Sequence, residues 1–145
     1  MTVETYSDKY FLDVVRLVEN FHKEALSEYD DLFNPNVLIE NINSINPKDI
    51  FLLIVNETCQ GILYGTRFKS MVSGKEVWQE IIWYVNESFR GYGVKLLSEV
   101  EKVLKSSGVS TIIMAVLENS KTEKLKTFYQ RLGYKPMETH FVRSI

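Results

Sequence analysis

The residues best suited to chemistry lie between Trp78 and Leu97, in the run WQEIIWYVNESFRGYGVKLL. Here Arg90-Gly91-Tyr92-Gly93 stands between an apolar, strand-like run and a helical spacing that opens with Val94 and Lys95. At such a junction several backbone N–H groups lack an intrahelical partner, and the positive end of the helix dipole points the same way. That combination suits a phosphate or pyrophosphate. Glycine allows ligand oxygens close to the amides and permits positive φ, while Arg90 adds a fixed charge. The same tetrapeptide also suits a tight turn that holds no ligand. A P-loop is excluded, because two glycines are too few and the lysine–serine/threonine pair is missing.

The elements that must position this turn follow from apolar periodicity. Thr2 to Tyr6 reads as a short strand, and Ser7 as the cap of a helix with Phe11, Val14, Val15, Leu17, Val18 and Phe21 on one face. Asn34-Pro35 opens a second helix running to about Ile45. Three strands come next: Ile50 to Val55, Gln60 to Phe68 and Lys75 to Val85, with turns at Asn56-Glu57-Thr58 and Ser73-Gly74. This antiparallel meander disfavours a Rossmann unit. The period then becomes helical through Val94, Leu96, Leu97, Val100, Val103 and Leu104, stopping at Ser107-Gly108. Ser110 to Leu117 reads as a buried parallel strand. Ser120 and Glu123 have the form of a capping box for a helix ending at Gly133. Tyr134 to Met137 and Thr139 to Val142 suit two final strands. One α+β or mixed α/β domain over residues 1–145 is expected.

Composition narrows the classes. The 145 residues are 45% hydrophobic and 25% charged, which fits an ordinary globular chain. Seventeen basic against nineteen acidic side chains leave a net charge of -2, so no electrostatic footprint for nucleic acid appears. Cys59 is the single cysteine, so no intramolecular disulfide is possible and no zinc site follows from the cysteine count. His22 and Glu24 have no third ligand nearby, and no metal is expected. The N-terminus lacks a signal-peptide pattern, and no apolar run approaches the roughly 20 residues that cross a bilayer. A cytoplasmic protein is the expectation.

Phe89-Arg90-Gly91-Tyr92-Gly93, between this strand and this helix, resembles the coenzyme-binding motif Q/R-x-x-G-x-G/A of the GNAT acetyltransferases. In the register that keeps Leu96-Leu97 in phase, Gly91 and Gly93 fill the glycine positions and Ser88 replaces the leading Gln/Arg. Phe128-Tyr129-Gln130-Arg131-Leu132-Gly133-Tyr134 resembles the F-Y-x-x-x-G-F/Y signature that closes such domains. The element order matches over almost the whole chain, and the ending Glu138 to Val142 resembles that of small phage-borne members. The resemblance implies a mostly antiparallel mixed sheet, splayed at a central parallel pair, with helices on both faces.

It also implies an acetyl-CoA-dependent N-acetyltransferase acting by direct attack through a tetrahedral intermediate, with acetyl-CoA as acetyl donor and no metal. Backbone from Arg90 through Gly91, Tyr92, Gly93, Val94 and Lys95 would hold the pyrophosphate. Tyr84 and Val85 would meet the pantetheine arm, and Asn119 stands near the register of a family asparagine that does so. Tyr129 corresponds to the tyrosine that protonates the leaving thiolate. Glu80 is the best-placed carboxylate for a general base, and its other reading is a charge on a solvent face. Acceptor contacts would come from Phe21, His22, Glu24, Tyr29 and Phe33, with His140 on a late strand bordering them. The acceptor would be a small-molecule or peptide amine, and pairing through the last strands would give a homodimer. The rival reading is a non-catalytic GNAT-fold module that binds coenzyme or another protein.

Overall fold

Apolar residues on both faces of Ile50–Val55 can be buried only if helices cover both sides of the strand. That is what the computed structural model has, for residues 1–29, 32–118 and 121–145, the ones described. Strands β1 (Thr2–Thr5), β2 (Ile50–Val55), β3 (Thr58–Lys69), β4 (Glu76–Val85) and β5 (Thr111–Ile113) lie side by side in chain order. The first four pair antiparallel, and β5 joins β4 in parallel. The β2–β3 hairpin turns through Asn56 and Glu57, at φ 49° and 60°, the left-handed geometry that matches strand twist.

Helices α1 (Phe11–Phe21) and α2 (Pro35–Ser44) cover one face. There Val14, Leu17 and Ile42 pack on Ile50, Leu52, Ile54, Ile62 and Tyr84. Asn34 caps α2, its side chain accepting from the N–H groups of Asn36 and Val37. Ser7 stands before a 3-10 turn, Asp8–Tyr10, without a side-chain cap bond. Helices α3 (Gly93–Ser106) and α4 (Thr122–Arg131) cover the other face. Leu96, Leu97, Val100 and Leu104 of α3 are buried against Phe51, Leu53, Leu63 and Trp78, worth about 1.5–3 kcal/mol for each side chain. Val94 and Val103, expected in this stripe, lie at its exposed margins.

Three expectations fail at the C-terminal half. The parallel strand is three residues long instead of running to Leu117. The segments 134–137 and 139–142 form no strands. The chain leaves the sheet after Ile113, and β5 remains a three-residue edge strand. Pro136 also removes a ladder donor in the middle of the first segment. Ser120, expected to cap α4, lies outside the described residues. The end of α4 is as expected, with Gly133 at φ 92° and Tyr134 N–H returning to the carbonyl of Tyr129.

Candidate active site

The site begins where β4 and β5 part. Their pairing covers Val77 to Gln79 against Thr111 to Ile113. Beyond it, from Glu80 to Val85, β4 keeps β3 on one side and has no strand on the other among the described residues. A backbone edge with unpaired donors and acceptors is left facing a cleft.

A β-bulge decides which side chain enters that cleft. Tyr64 pairs with Ile82 and Gly65 with Glu80, so Ile81 is the extra residue on β4. Tyr84 and Ile82 pack on the α1/α2 face, while Trp78 belongs to the α3/α4 core. The bulge reverses the alternation between them and carries Glu80 toward Tyr129. Neither alternate set of this strand is purely polar, because both faces of β4 are packed against hydrophobic clusters. Gly65 is required opposite the bulge: a Cβ there would stand 2.4 Å from the Trp78 ring.

Glu80 Oε2 accepts a hydrogen bond from the N–H of Ala115 at 2.8 Å. On the same residue, the Tyr129 hydroxyl donates to the Ala115 carbonyl at 3.2 Å. Ala115 lies just past β5, so the two titratable groups are fixed to the two polar atoms of one peptide segment across the cleft. Burial raises the Glu80 carboxyl to about 7, opposed in part by the Ala115 N–H. Burial also pushes the Tyr129 hydroxyl well up, with the Glu80 charge as the next cause. Tyr129 is held by rings on three sides, with Trp83, Phe128 and Tyr134 at centroid distances of 6.0, 5.8 and 5.5 Å. The backbone contribution of Ala115 leaves no mark in its side chain, so residue types could not have revealed it.

The glycine turn differs from the expectation in shape. A 3-10 segment, Glu87–Tyr92, comes between β4 and α3, where an immediate helix start is expected. Neither Gly91 nor Gly93 has positive φ; Gly93 sits at φ -57° as the first residue of α3. Neither glycine is required by backbone conformation or by protein packing. At Gly91 a Cβ would meet nothing within 4 Å, leaving the backbone open to a ligand. At Gly93 it would touch Trp83 at 3.6 Å, and the buried indole N–H of Trp83 has no acceptor among the described residues. An open backbone at the start of a 14-residue helix, with Arg90 beside it, fits a coenzyme pyrophosphate. Tyr92, Val94 and Lys95 are exposed around that start.

Arg90 is engaged, however. Its Nη2 lies 2.6 Å from Glu24 Oε2, and Glu24 Oε1 accepts from the Tyr84 hydroxyl at 2.8 Å. Glu24 reaches both because α1 relaxes into a π-helical turn over His22–Leu26. Glu24, expected among acceptor contacts, is thus tied to Tyr84 and to Arg90 of the glycine turn. Phe21 packs at the α1 margin of the core, His22 meets the Phe33 ring at 5.7 Å, and Tyr29 is half-buried. Val85 is buried at the end of β4. His140 is not brought to the site: it lies on the strandless C-terminal segment, 72% exposed, and pairs with Glu138 at 3.1 Å. Asn119 lies outside the described residues.

A family model described as an acetyltransferase (GNAT) domain matches residues 14–141. The chain belongs to the GNAT acetyltransferases. No curated protein matches it. Among solved structures it is similar to a probable acetyltransferase, with 16% identity and a TM-score of 0.79 over 100% of this chain and 98% of that one. A ribosomal-protein-alanine N-acetyltransferase from Brucella melitensis biovar Abortus 2308 is similar at 12% identity and a TM-score of 0.77, over 99% and 98% of the two chains. An aminoglycoside acetyltransferase from an uncultured soil metagenomic sample, in complex with sisomicin, has 13% identity and a TM-score of 0.76 over 99% and 95%. At these identities the GNAT neighbours share the fold and leave the substrate open.

Proposed function

We propose that this GNAT protein is an N-acetyltransferase that moves an acetyl group from acetyl-CoA to a primary amine by direct attack. The observation that carries the reading is the pair Glu80 and Tyr129, both bonded to Ala115 at the parting of β4 and β5. Acetyl-CoA, as co-substrate, supplies an activated acetyl thioester. The amides and open backbone around Gly91 and Gly93, with Arg90, would hold its pyrophosphate, and the unpaired edge of β4 near Tyr84 and Val85 would align its arm.

Glu80 takes a proton from the acceptor ammonium, and a carboxyl near 7 suits that work at neutral pH. The hydroxyl of Tyr129 supplies a proton to the departing sulfur. The two steps are coupled through charge. Burial is the main reason the Tyr129 hydroxyl is high and the Glu80 charge the next, so proton uptake by Glu80 removes part of what opposes the acid step. Cys59 takes no part: it is buried in β3, and burial lifts its thiol to about 12. Direct attack therefore needs no covalent enzyme intermediate.

Tyr129→Phe keeps the ring packing and removes the proton donor. Turnover, followed as amine-dependent thiol release, should fall about 10²-fold with coenzyme affinity nearly unchanged. An unaltered turnover number would remove Tyr129 from the mechanism.

A further inference from the structure

At the end of β4 remote from the glycine turn, the β3–β4 hairpin points apolar side chains into solvent. Met71 and Val72 stand at its apex, 100% and 97% exposed, and Phe68 of β3 is 43% exposed just below them. Turn chemistry does not account for the pair, since turns favour Gly, Asn, Asp, Ser and Pro. We infer that this tip docks on an anionic lipid bilayer, with Met71 and Val72 entering the headgroup boundary and nearby lysines facing the phosphates.

The backbone N–H groups of Ser70, Val72, Ser73, Gly74 and Lys75 are satisfied inside the hairpin. Ser70 N–H donates to the Lys75 carbonyl and Gly74 N–H to the Ser70 carbonyl, each at 2.8 Å. The Ser70 hydroxyl accepts from Val72 and Ser73 N–H, and the Ser73 hydroxyl from Lys75 N–H. Unpaired backbone donors are what makes a loop costly in an apolar medium, and these donors are already paired.

The surrounding charge has the matching sign. Lys69 and Lys75 flank the turn. Arg67, bonded to Asp49 and Ser107, ties the 3-10 turn Pro47–Asp49 and the end of α3 to the hairpin base. Lys48 and Lys105 thereby stand at the same end of the molecule. All these lysines are exposed, and none pairs with a carboxylate among the described residues. Against them, Asp49 is taken by Arg67, and Glu76 is half-buried across from Lys69.

A protein partner fits the tip less well. Two full side chains and part of a third fall far short of the roughly 800 Å² that each partner buries in a stable interface. A bilayer needs no matching shape, and each lysine adds attraction to its anionic headgroups. The ten residues of β4 span about 30 Å, so docking at the tip and acetyl transfer at the cleft do not compete for one surface.

Co-flotation of the purified protein with vesicles tests this, comparing phosphatidylcholine alone with equimolar phosphatidylcholine and phosphatidylglycerol. The protein should bind the anionic vesicles, more weakly as salt rises, and bind phosphatidylcholine only slightly. Met71→Ser with Val72→Ser should weaken binding at least about tenfold. Lys69→Gln with Lys75→Gln should weaken it about 30-fold. Both pairs lie at exposed positions, so the urea midpoint should stay at the parent's value. No binding to the anionic vesicles, or binding that the serine pair leaves intact, would overturn the assignment. So would a parent that dimerises in sedimentation, binds no vesicle and becomes monomeric with the serine pair, since the tip would then be a contact between copies.

Discussion

If Glu80 is the base proposed above, its burial pulls stability and activity in opposite directions. Its carboxyl ordinarily titrates at 4.5 and is raised to about 7 by burial in the folded protein. Between these values the folded state binds more protons than the unfolded state, so stability falls as pH rises. Above about pH 7 the full cost of the buried charge is present, at most about 3 kcal/mol. Glu80→Gln should therefore be more stable than the parent at pH 8 and equal to it at pH 4, as urea midpoints at both values would check. Activity runs the other way: kcat/KM should climb through about pH 7 as the base ionises, and the variant should lose that limb. Glu80 and Tyr129 were both legible as residue types in the sequence. What joins them, the N–H and carbonyl of Ala115, was not, because backbone groups are the same at every residue.

At the scale of elements, two glycines do different work. Gly65 makes room for the Trp78 ring at the β4 bulge. Gly65→Ala should cost about 1–3 kcal/mol by overpacking, or more if the bulge is lost, visible as a lowered urea midpoint and reduced activity together. Gly91 faces open space within the protein, so Gly91→Ala should leave that midpoint unchanged or slightly raised. Its coenzyme affinity should nevertheless fall at least about tenfold, as measured by calorimetry. Equal affinity would place the pyrophosphate elsewhere. The strand and helix periods were readable because each element buries one face: the stripe Leu96, Leu97, Val100 and Leu104 is an example. The bulge was not, since one extra residue in Glu80-Ile81-Ile82 looks like broken alternation. The π-helical turn that carries Glu24 left no sequence signal either, because the partners of Glu24 lie 60 and 66 residues away.

For the molecule as a whole, the five-stranded sheet parts between β4 and β5, with Glu80 and Tyr129 at the parting and the glycine turn beyond it. No helix among the described residues is long and apolar enough to cross a membrane. The C-terminal segment was misread from its apolar content: Phe141 is 94% exposed, and apolar content alone does not make a strand. On the proposed reading this cleft and turn together receive acetyl-CoA. Calorimetric titration of acetyl-CoA into the purified protein, with CoA and ATP as comparisons, tests it most directly. One site of micromolar affinity for acetyl-CoA and much weaker binding of ATP are expected. Absence of binding up to millimolar acetyl-CoA would contradict that reading.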